Sequence, residues 1–233
     1  MSVAVLLPGL DGTGALLEHF AESLGYTLPV GIVRYPADLA ASYAELEEIA
    51  RAALPTDKPY LLVGESFSGP IAISLAAKAP PGLRGLVLCT TFARSPVPYL
   101  RPFSPFLQIA PTHLPAAVLR YLLLGRWATP AIDRMLEAAL AEISPEVLRK
   151  RVDEVLRVDV SAQLRAVRVP VMYLQARQDR MIPASAAEHL RRIVPSIDIV
   201  KIDGPHFLLQ AAGEHCVEKI LDFARRVGLS AGA

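Results

Sequence analysis

Short apolar segments alternate along the chain with longer segments in which apolar residues recur at helical spacing. Several of the short segments are apolar throughout, which is typical of buried parallel strands. Six strands are predicted, at residues 3–7, 31–35, 60–63, 86–90, 169–174 and 197–202. Helices are predicted at residues 14–24, 42–54, 69–78, 185–194 and 214–227. This alternation predicts an α/β fold with a doubly wound, mostly parallel six-stranded sheet that carries helices on both faces.

Two of these helices begin with the pattern of a capping box, in which a serine precedes a glutamate by three residues. The pairs are Ser42 with Glu45 and Ser185 with Glu188. In each pair we expect the serine hydroxyl to accept from the first turn of the helix, while the glutamate reaches back to the serine amide.

Residues 93–168 interrupt the alternation, because no segment among them has a strand pattern. After a proline-rich beginning, apolar residues recur at helical spacing behind Thr129 and again behind Ser144, each of which precedes a proline. Roughly 75 residues far exceed the usual connection of about 4–6 residues. We therefore predict a core of residues 1–92 and 169–233 with an inserted helical lid of residues 93–168. The alternative is a packing or dimerisation unit that makes no contact with substrate.

Composition excludes several functional classes. Lysine and arginine total 24 against 23 aspartates and glutamates, so the chain lacks the basic excess that nucleic-acid binding requires. The two cysteines, Cys89 and Cys216, lie far apart in sequence, and neither a disulfide framework nor a metal site is expected. The beginning of the chain has no basic signal-peptide region, and the apolar stretch 114–125 is too short to span a membrane. We expect a cytoplasmic protein that needs neither metal nor cofactor.

The segment around Ser66 has the pattern of a turn that exposes a serine nucleophile. A buried strand runs into a tight turn at this serine, and a helix of small residues follows. Gly64 and Ser68 supply the small neighbours that a serine on a sharp strand-to-helix turn requires. Such a turn exposes the hydroxyl and directs the first amides of the helix toward a bound group. The alternative is an ordinary serine that caps the helix.

A serine nucleophile needs a base and an acid that orients the base. Only His206 lies in a loop directly after a predicted strand. Asp179 follows the preceding strand, and Asp203 is a local rival that lies only three residues from His206. The other histidines fall on predicted helices or in the predicted lid: His19, His113, His189 and His215. Ser66, Asp179 and His206 thus follow separate strands at the sheet edge where open α/β sheets bind ligands.

Three short motifs resemble those of the α/β-hydrolase superfamily, and the resemblance covers nearly the whole chain, including the helical insertion. Residues 64–69 resemble its nucleophile turn, residues 179–183 its acid loop and residues 204–207 its histidine loop. Some members carry the acid one strand earlier. Residues 90–95 offer no carboxylate there, which favours Asp179.

Residues 7–14 resemble the loop that supplies an oxyanion-binding amide in this superfamily. By position, the resemblance implies backbone donors at Leu10 and Phe67. The chain departs from the family pattern at Pro8, where a histidine is common, and at Ser68, where glycine is usual. Asp11 is expected to cap the helix that begins near residue 14, without a catalytic role.

The resemblance implies a serine hydrolase that cleaves carboxylic esters of small or medium apolar acyl groups through an acyl-enzyme. Ser66 would attack, His206 would transfer the proton and Asp179 would orient the imidazole. The expected partner is a small-molecule ester or thioester. The candidate substrate-lining residues are Phe103, Phe106, Leu122, Leu123, Trp127 and Met135. Thioester hydrolysis, acyl transfer, carbon–carbon bond hydrolysis and a slow-turnover binding or receptor protein remain as alternatives.

Overall fold

The computed structural model describes residues 2–102 and 115–229. Its centre is one sheet of six strands in the order β2-β1-β3-β4-β5-β6, and every neighbouring pair is parallel. The strands are β1 (Val3–Leu7), β2 (Val30–Ile32), β3 (Tyr60–Glu65), β4 (Leu83–Cys89), β5 (Val171–Ala176) and β6 (Asp198–Ile202). The predicted fold class is confirmed. The strand β2 ends earlier than predicted, and the Tyr35 amide donates instead to the carbonyl of Gly12 in the loop after β1 (2.8 Å).

Helices cover both faces of the sheet, which explains why the central strands are apolar on both sides. The helices α1 (Glu18–Gly25) and α10 (Gly213–Arg226) pack on one face, where Phe20, Leu24, Ile220 and Phe223 are buried. The helices α2 (Tyr43–Ala52), α3 (Gly69–Ala77) and α8 (Ala184–Ile193) pack on the other, where Leu46, Ile71 and Leu190 are buried. The short helix α9 (Leu208–Ala211) follows β6.

Only one of the two predicted capping boxes forms. The Ser42 hydroxyl accepts from the Glu45 amide (3.3 Å), and the Glu45 carboxylate accepts from the Ser42 amide (2.8 Å). The prediction at Ser185 is wrong, because α8 already begins at Ala184. Pro183 occupies the N-cap position, so Ser185 lies inside the first turn.

The insertion, which we define as residues 93–168, contains four α-helices in its described part. These are α4 (Ala116–Leu123), α5 (Pro130–Ala141), α6 (Pro145–Arg157) and α7 (Ser161–Ala166). The helices predicted behind Thr129 and Ser144 are confirmed as α5 and α6, and both residues act as side-chain N-caps. The last helix, α7, packs against α3 and α8, and its Leu164 is buried in the same core cluster as those helices.

Residues 93–94 and 159–160 lie side by side. Arg94 and Asp159 form an isolated antiparallel bridge, and the Val160 amide donates to the Ala93 carbonyl (2.7 Å). The chain therefore leaves the core and rejoins it at one place, and α7, which follows residue 160, packs with the core. Within residues 2–102 and 115–229, no helix is both long and apolar enough to cross a lipid bilayer.

Candidate active site

The backbone at Ser66 has an unusual conformation. Strand β3 ends at Glu65, a short 3₁₀ turn spans Ser66–Ser68, and α3 begins at Gly69. Ser66 has a φ of 45°, in the left-handed region that residues with a side chain seldom adopt. The hydroxyl of Thr91, in the loop after β4, donates to the Ser66 carbonyl. Strain of this kind persists only where surrounding contacts enforce it, and Thr91 provides such a contact.

Two glycines allow the turn to pack closely. A Cβ atom at Gly64 would lie 2.7 Å from Cβ of Ala72 and 3.0 Å from the Ser68 carbonyl oxygen. A Cβ atom at Gly69 would lie 2.0 Å from Oγ1 of Thr91. These distances are too short for any side chain, so steric packing requires glycine at both positions.

Ser68, which departs from the glycine of the family pattern, has its own bonding role. Its side chain is fully buried, and its hydroxyl donates to the carbonyl of Pro8 in the loop after β1. The Tyr35 hydroxyl lies 3.1 Å from Oγ of Ser68 and donates to it. Ser68 therefore links the turn that carries Ser66 to the predicted oxyanion loop, which a glycine could not do.

The structure brings Ser66, Asp179 and His206 together. Oγ of Ser66 lies 2.8 Å from Nε2 of His206, and Nδ1 of His206 lies 3.1 Å from each carboxylate oxygen of Asp179. The His206 and Asp179 side chains are only 5% and 6% exposed. Oδ1 of Asp179 also accepts from the amides of Met181 and Ile182, at 2.8 Å each, so the loop itself orients the carboxylate. The three groups form a continuous hydrogen-bonded chain.

The rival residues lie elsewhere. The Asp203 side chain is 72% exposed and pairs with Arg177 at 3.3 Å. Nε2 of His189 bonds to Oγ of Ser161 (2.8 Å), which joins α8 to α7. The side chains of His19 and His215 are exposed, and His113 lies outside the described residues.

The predicted oxyanion loop is a tight turn. The Gly12 amide donates to the Gly9 carbonyl (3.1 Å), which places Leu10 and Asp11 at the two central positions. The Asp11 carboxylate accepts from the amides of Thr13 (3.1 Å) and Gly14 (3.3 Å). Asp11 is therefore engaged in holding its own loop. The prediction that it caps the following helix is wrong, because Gly14 is the N-cap residue of the 3₁₀ helix Ala15–Leu17 and no side chain makes a cap hydrogen bond there.

Phe67, the other predicted donor, is held by Tyr43 of α2. The Tyr43 hydroxyl donates to the Phe67 carbonyl (2.9 Å), and the two rings stack with centroids 4.7 Å apart. Burial raises the pKa of Tyr43 well above its usual value, so the hydroxyl stays protonated and remains a donor.

Arg151 of α6 lies in the candidate site, although no sequence motif predicted it there. Its side chain is 1% exposed, and Nη1 donates to the carbonyls of Leu10 (2.9 Å) and Asp11 (2.6 Å). Nη2 donates to the carbonyl of Pro36 (3.0 Å). The sequence did contain a signal, since Arg151 occupies the apolar stripe of its helix, four residues after the buried Val147.

Glu65 is a buried carboxyl group directly before Ser66. Burial is the main cause that raises the pKa of Glu65 to about 7, and the nearby Asp11 raises it further. A hydrogen bond from Nε2 of Gln210 (3.1 Å) and the proximity of His206 act in the opposite direction. No sequence pattern predicted a role for Glu65.

The end of α4 lies against two of the site loops. The Phe207 amide, directly after His206, donates to the carbonyl of Leu123 (3.1 Å). In the acid loop, Arg180 donates to the Tyr121 carbonyl (3.3 Å), and its guanidinium lies 4.5 Å from the centroid of the Tyr121 ring. The half-buried Leu122 and Leu123 are thus near the loops that carry Asp179 and His206.

The other predicted lining residues are less closely tied to these loops. Trp127 is half-buried under the guanidinium of Arg126, 4.2 Å from the ring centroid. Met135 lines a cleft of about 330 Å³ between α1 and α5, together with Glu18 and His19. Phe103 and Phe106 lie outside the described residues.

No group of three or more histidine, cysteine, aspartate or glutamate side chains comes together as a metal site in the described ranges 2–102 and 115–229. Cys89 and Cys216 are free thiols, and both are buried. Burial raises the pKa of Cys216 to about 12, so it stays protonated and is a poor ligand.

Comparison with known proteins identifies the family. The sequence matches the family Hydrolase_4, described as serine aminopeptidase S33, over residues 31–204. The chain belongs to this family. Its fold is also that of a lipase-esterase related protein from Clostridium acetobutylicum, with a TM-score of 0.78 at 16% identity over 95% of this chain and 94% of that one. The chain is thus a member of the α/β-hydrolase superfamily.

Two curated relatives have names that describe ester chemistry. Phytyl ester synthase 1 of Arabidopsis thaliana is 31% identical over 166 residues, which cover 65% of this chain and 23% of that protein. Pimeloyl-[acyl-carrier protein] methyl ester esterase of Neisseria meningitidis is 25% identical over 202 residues, which cover 80% of this chain and 65% of that protein. The chain thus spans less than two thirds of either relative. Esterases and other hydrolases are its relatives.

Proposed function

We propose that this protein is a serine hydrolase that cleaves carboxylic esters of small or medium apolar acyl groups. The observation that carries the proposal is the hydrogen-bonded chain from Oγ of Ser66 through His206 to Asp179. A serine hydroxyl becomes a useful nucleophile only when a positioned base takes its proton, and this arrangement supplies that base.

In the proposed reaction, Nδ1 of His206 donates to Asp179, which leaves the lone pair of Nε2 free to accept the Ser66 proton. Oγ of Ser66 adds to the ester carbonyl, and the carbonyl oxygen becomes an oxyanion. His206 then returns the proton to the leaving alcohol, and an acyl-enzyme remains on Ser66. Water, deprotonated by His206, attacks the acyl-enzyme. His206 then returns this proton to Oγ of Ser66 as the bond from Oγ to the acyl carbon breaks and the carboxylic acid leaves.

The amides of Leu10 and Phe67 would donate to the oxyanion in both halves of the reaction. Loss of one such donor typically costs about 2.7–4 kcal/mol in the transition state. The proposal is supported by how firmly both residues are held, since Leu10 lies in a tight turn and the Phe67 carbonyl is bonded to Tyr43. Donors that are fixed in advance need not reorganise as charge develops.

An apolar acyl group is favoured by the half-buried Leu122 and Leu123 beside the histidine and acid loops. In this proposal the insertion acts as a lid that contributes these side chains. The same acyl-enzyme would also permit transfer to an alcohol instead of water. This second candidate is favoured by the Arabidopsis relative, whose name describes ester synthesis.

The test compares the native protein with Ser66→Ala on p-nitrophenyl esters of increasing acyl length, on matched acyl thioesters, and on esters supplied with an alcohol acceptor. We expect turnover of short or medium esters and its loss in Ser66→Ala, by about 10⁴-fold or more. Fluorophosphonate labelling followed by peptide mapping should place the adduct on Ser66. Ester hydrolysis that survives in Ser66→Ala would contradict the proposal.

A further inference from the structure

The guanidinium of Arg151 joins the predicted oxyanion loop to the segment after β2 through three hydrogen bonds. Leu10 and Asp11 are the two central residues of the turn, and the carbonyls of both accept from Nη1 of Arg151 (2.9 and 2.6 Å). The third acceptor, the Pro36 carbonyl, lies in the segment after β2 (3.0 Å). The rigid geometry of a guanidinium fixes all three carbonyls relative to one another.

Gly12 makes this contact possible. Its φ of 70° lies in the left-handed region, and a Cβ atom there would come within 2.4 Å of Nη1 of Arg151. The guanidinium therefore packs directly on the backbone of the turn, in space that only a glycine leaves open.

The energetics indicate a positioning role. A buried charge is costly unless it is fully hydrogen-bonded, and an apolar side chain of similar size would often fill a core at lower cost. Burial lowers the pKa of Arg151, whereas the nearby Asp11 carboxylate raises it. The main effect of Arg151 is therefore to fix the positions of its three carbonyl acceptors, and its effect on the stability of the fold is smaller.

A second connection runs from the same helix to Phe67. Glu154, one turn after Arg151 on α6, accepts from the Tyr43 amide (3.0 Å). Tyr43 in turn donates from its hydroxyl to the Phe67 carbonyl (2.9 Å). Helix α6 is therefore bonded to the Leu10 loop directly and to Phe67 through one intermediate residue.

We propose that α6 positions the two oxyanion-binding amides, and that Arg151 is the positioning residue for the Leu10 amide. This inference rests on the proposed serine-hydrolase function. It assigns the insertion a part in transition-state stabilisation in addition to its role as a lid. Arg151 acts through the loop and does not touch substrate.

The test uses Arg151→Lys and Arg151→Met, with Arg157→Met as the control. Arg157 lies on the same helix, and its half-exposed side chain pairs with Asp153. In both Arg151 variants we expect kcat to fall about 10- to 100-fold, less than the 10²–10³ that accompanies complete loss of a donor. The value of KM should change less than about threefold. Arg157→Met should retain kcat.

Binding of a trifluoromethyl ketone, which adds to the serine and mimics the oxyanion, separates positioning from a merely structural role. Its inhibition constant should rise in proportion to the fall in kcat/KM across the Arg151 variants, because both report the same oxyanion contacts. The pH dependence of kcat should stay unchanged, since His206 and Asp179 are not altered.

Gly12→Ala provides an independent test, because it retains Arg151 and displaces its guanidinium. It should show the same fall in kcat with little change in KM. The inference is contradicted if folded variants at both positions retain kcat within about threefold, if only KM changes, or if all three variants fail to fold. If Ser66→Ala also retains activity, the proposed function itself fails. If Ser66→Ala is inactive, only the role of Arg151 is rejected.

Discussion

The strand-end loops and the insertion contribute to the site in different ways. The loops after β3, β5 and β6 carry Ser66, Asp179 and His206, and each loop is recognisable from a few adjacent residues. The insertion contributes Arg151, which lies 141 residues from Leu10 in sequence and contacts it only after folding. The proposed reacting groups are thus specified by local sequence, whereas the group that we propose positions their surroundings depends on long-range packing.

The two regions also differ in what holds them. The turn at Ser66 is fixed by neighbouring core elements, through the Thr91 hydroxyl on the Ser66 carbonyl and the Ser68 hydroxyl on the Pro8 carbonyl. The turn at Leu10 is fixed by a guanidinium from α6. Under the proposed function, changes in the insertion should therefore affect oxyanion binding while the proposed nucleophile, base and acid remain in place.

The largest expected effect belongs to the strand-end loops. Replacement of Asp179 by asparagine keeps the shape of the side chain, but it favours the wrong tautomer of His206. We expect kcat to fall by about 10⁴-fold with little change in KM. The control is Asp203→Asn, which alters the exposed rival carboxylate three residues before His206. Steady-state kinetics on one ester gives kcat and KM for both variants.

Equal changes of kcat in Asp179→Asn and Asp203→Asn would contradict the assignment of Asp179. A large loss in Asp203→Asn, or a native rate in Asp179→Asn, would show that the carboxylate was assigned to the wrong loop.

Much of the fold and all three proposed catalytic residues could be predicted from sequence. The strands of the sheet are short apolar segments, and parallel strands bring the loops at their carboxyl ends to one edge. That single rule is enough to place the loops of Ser66, Asp179 and His206 together. The helices α5 and α6 were also predictable, because Thr129 and Ser144 mark their beginnings.

The remaining features depend on contacts that no short segment encodes. Ser185 matches the capping pattern, but α8 begins before it, after Pro183. In sequence, Ser68 only departs from the glycine of the family pattern. Its role depends on its hydrogen bonds with the Pro8 carbonyl and the Tyr35 hydroxyl, which form only in the folded protein. The sequence shows an arginine in the apolar stripe of α6, but only the packing of α6 on the loop after β1 shows which carbonyls it binds.

Glu65 directly precedes Ser66 and lies near Asp11 of the predicted oxyanion loop. The change in free energy expected from its replacement is intermediate between those of the other predictions. Its pKa is raised to about 7 in the folded protein from a usual value of 4.5, mainly by burial. The protonated form is therefore favoured by folding, and its stabilisation is fully present below pH 4.5 and is lost as pH rises through about 7. The loss amounts to about 3 kcal/mol, since one pKa unit corresponds to about 1.36 kcal/mol. Glu65→Gln, which resembles the protonated form, should remove this dependence.

The measurement is the free energy of unfolding in urea between pH 4.5 and 8 for the native protein, Glu65→Gln and the exposed-site control Glu188→Gln. The native protein and the control should lose stability in parallel, while Glu65→Gln stays flatter.

The smallest effect tests the link from the insertion to Phe67. Tyr43→Phe retains the ring that stacks on Phe67 but removes the hydroxyl that donates to the Phe67 carbonyl at 2.9 Å. A single neutral hydrogen bond contributes about 0.5–1.5 kcal/mol, so kcat should fall about 3- to 10-fold if that bond holds the amide in place for the transition state. The value of KM should stay nearly constant, and the control Tyr26→Phe, at a side chain that is 91% exposed, should retain kcat. A rise in KM at constant kcat would instead mean that Tyr43 shapes the substrate pocket, and positioning by α6 would then be confined to Leu10.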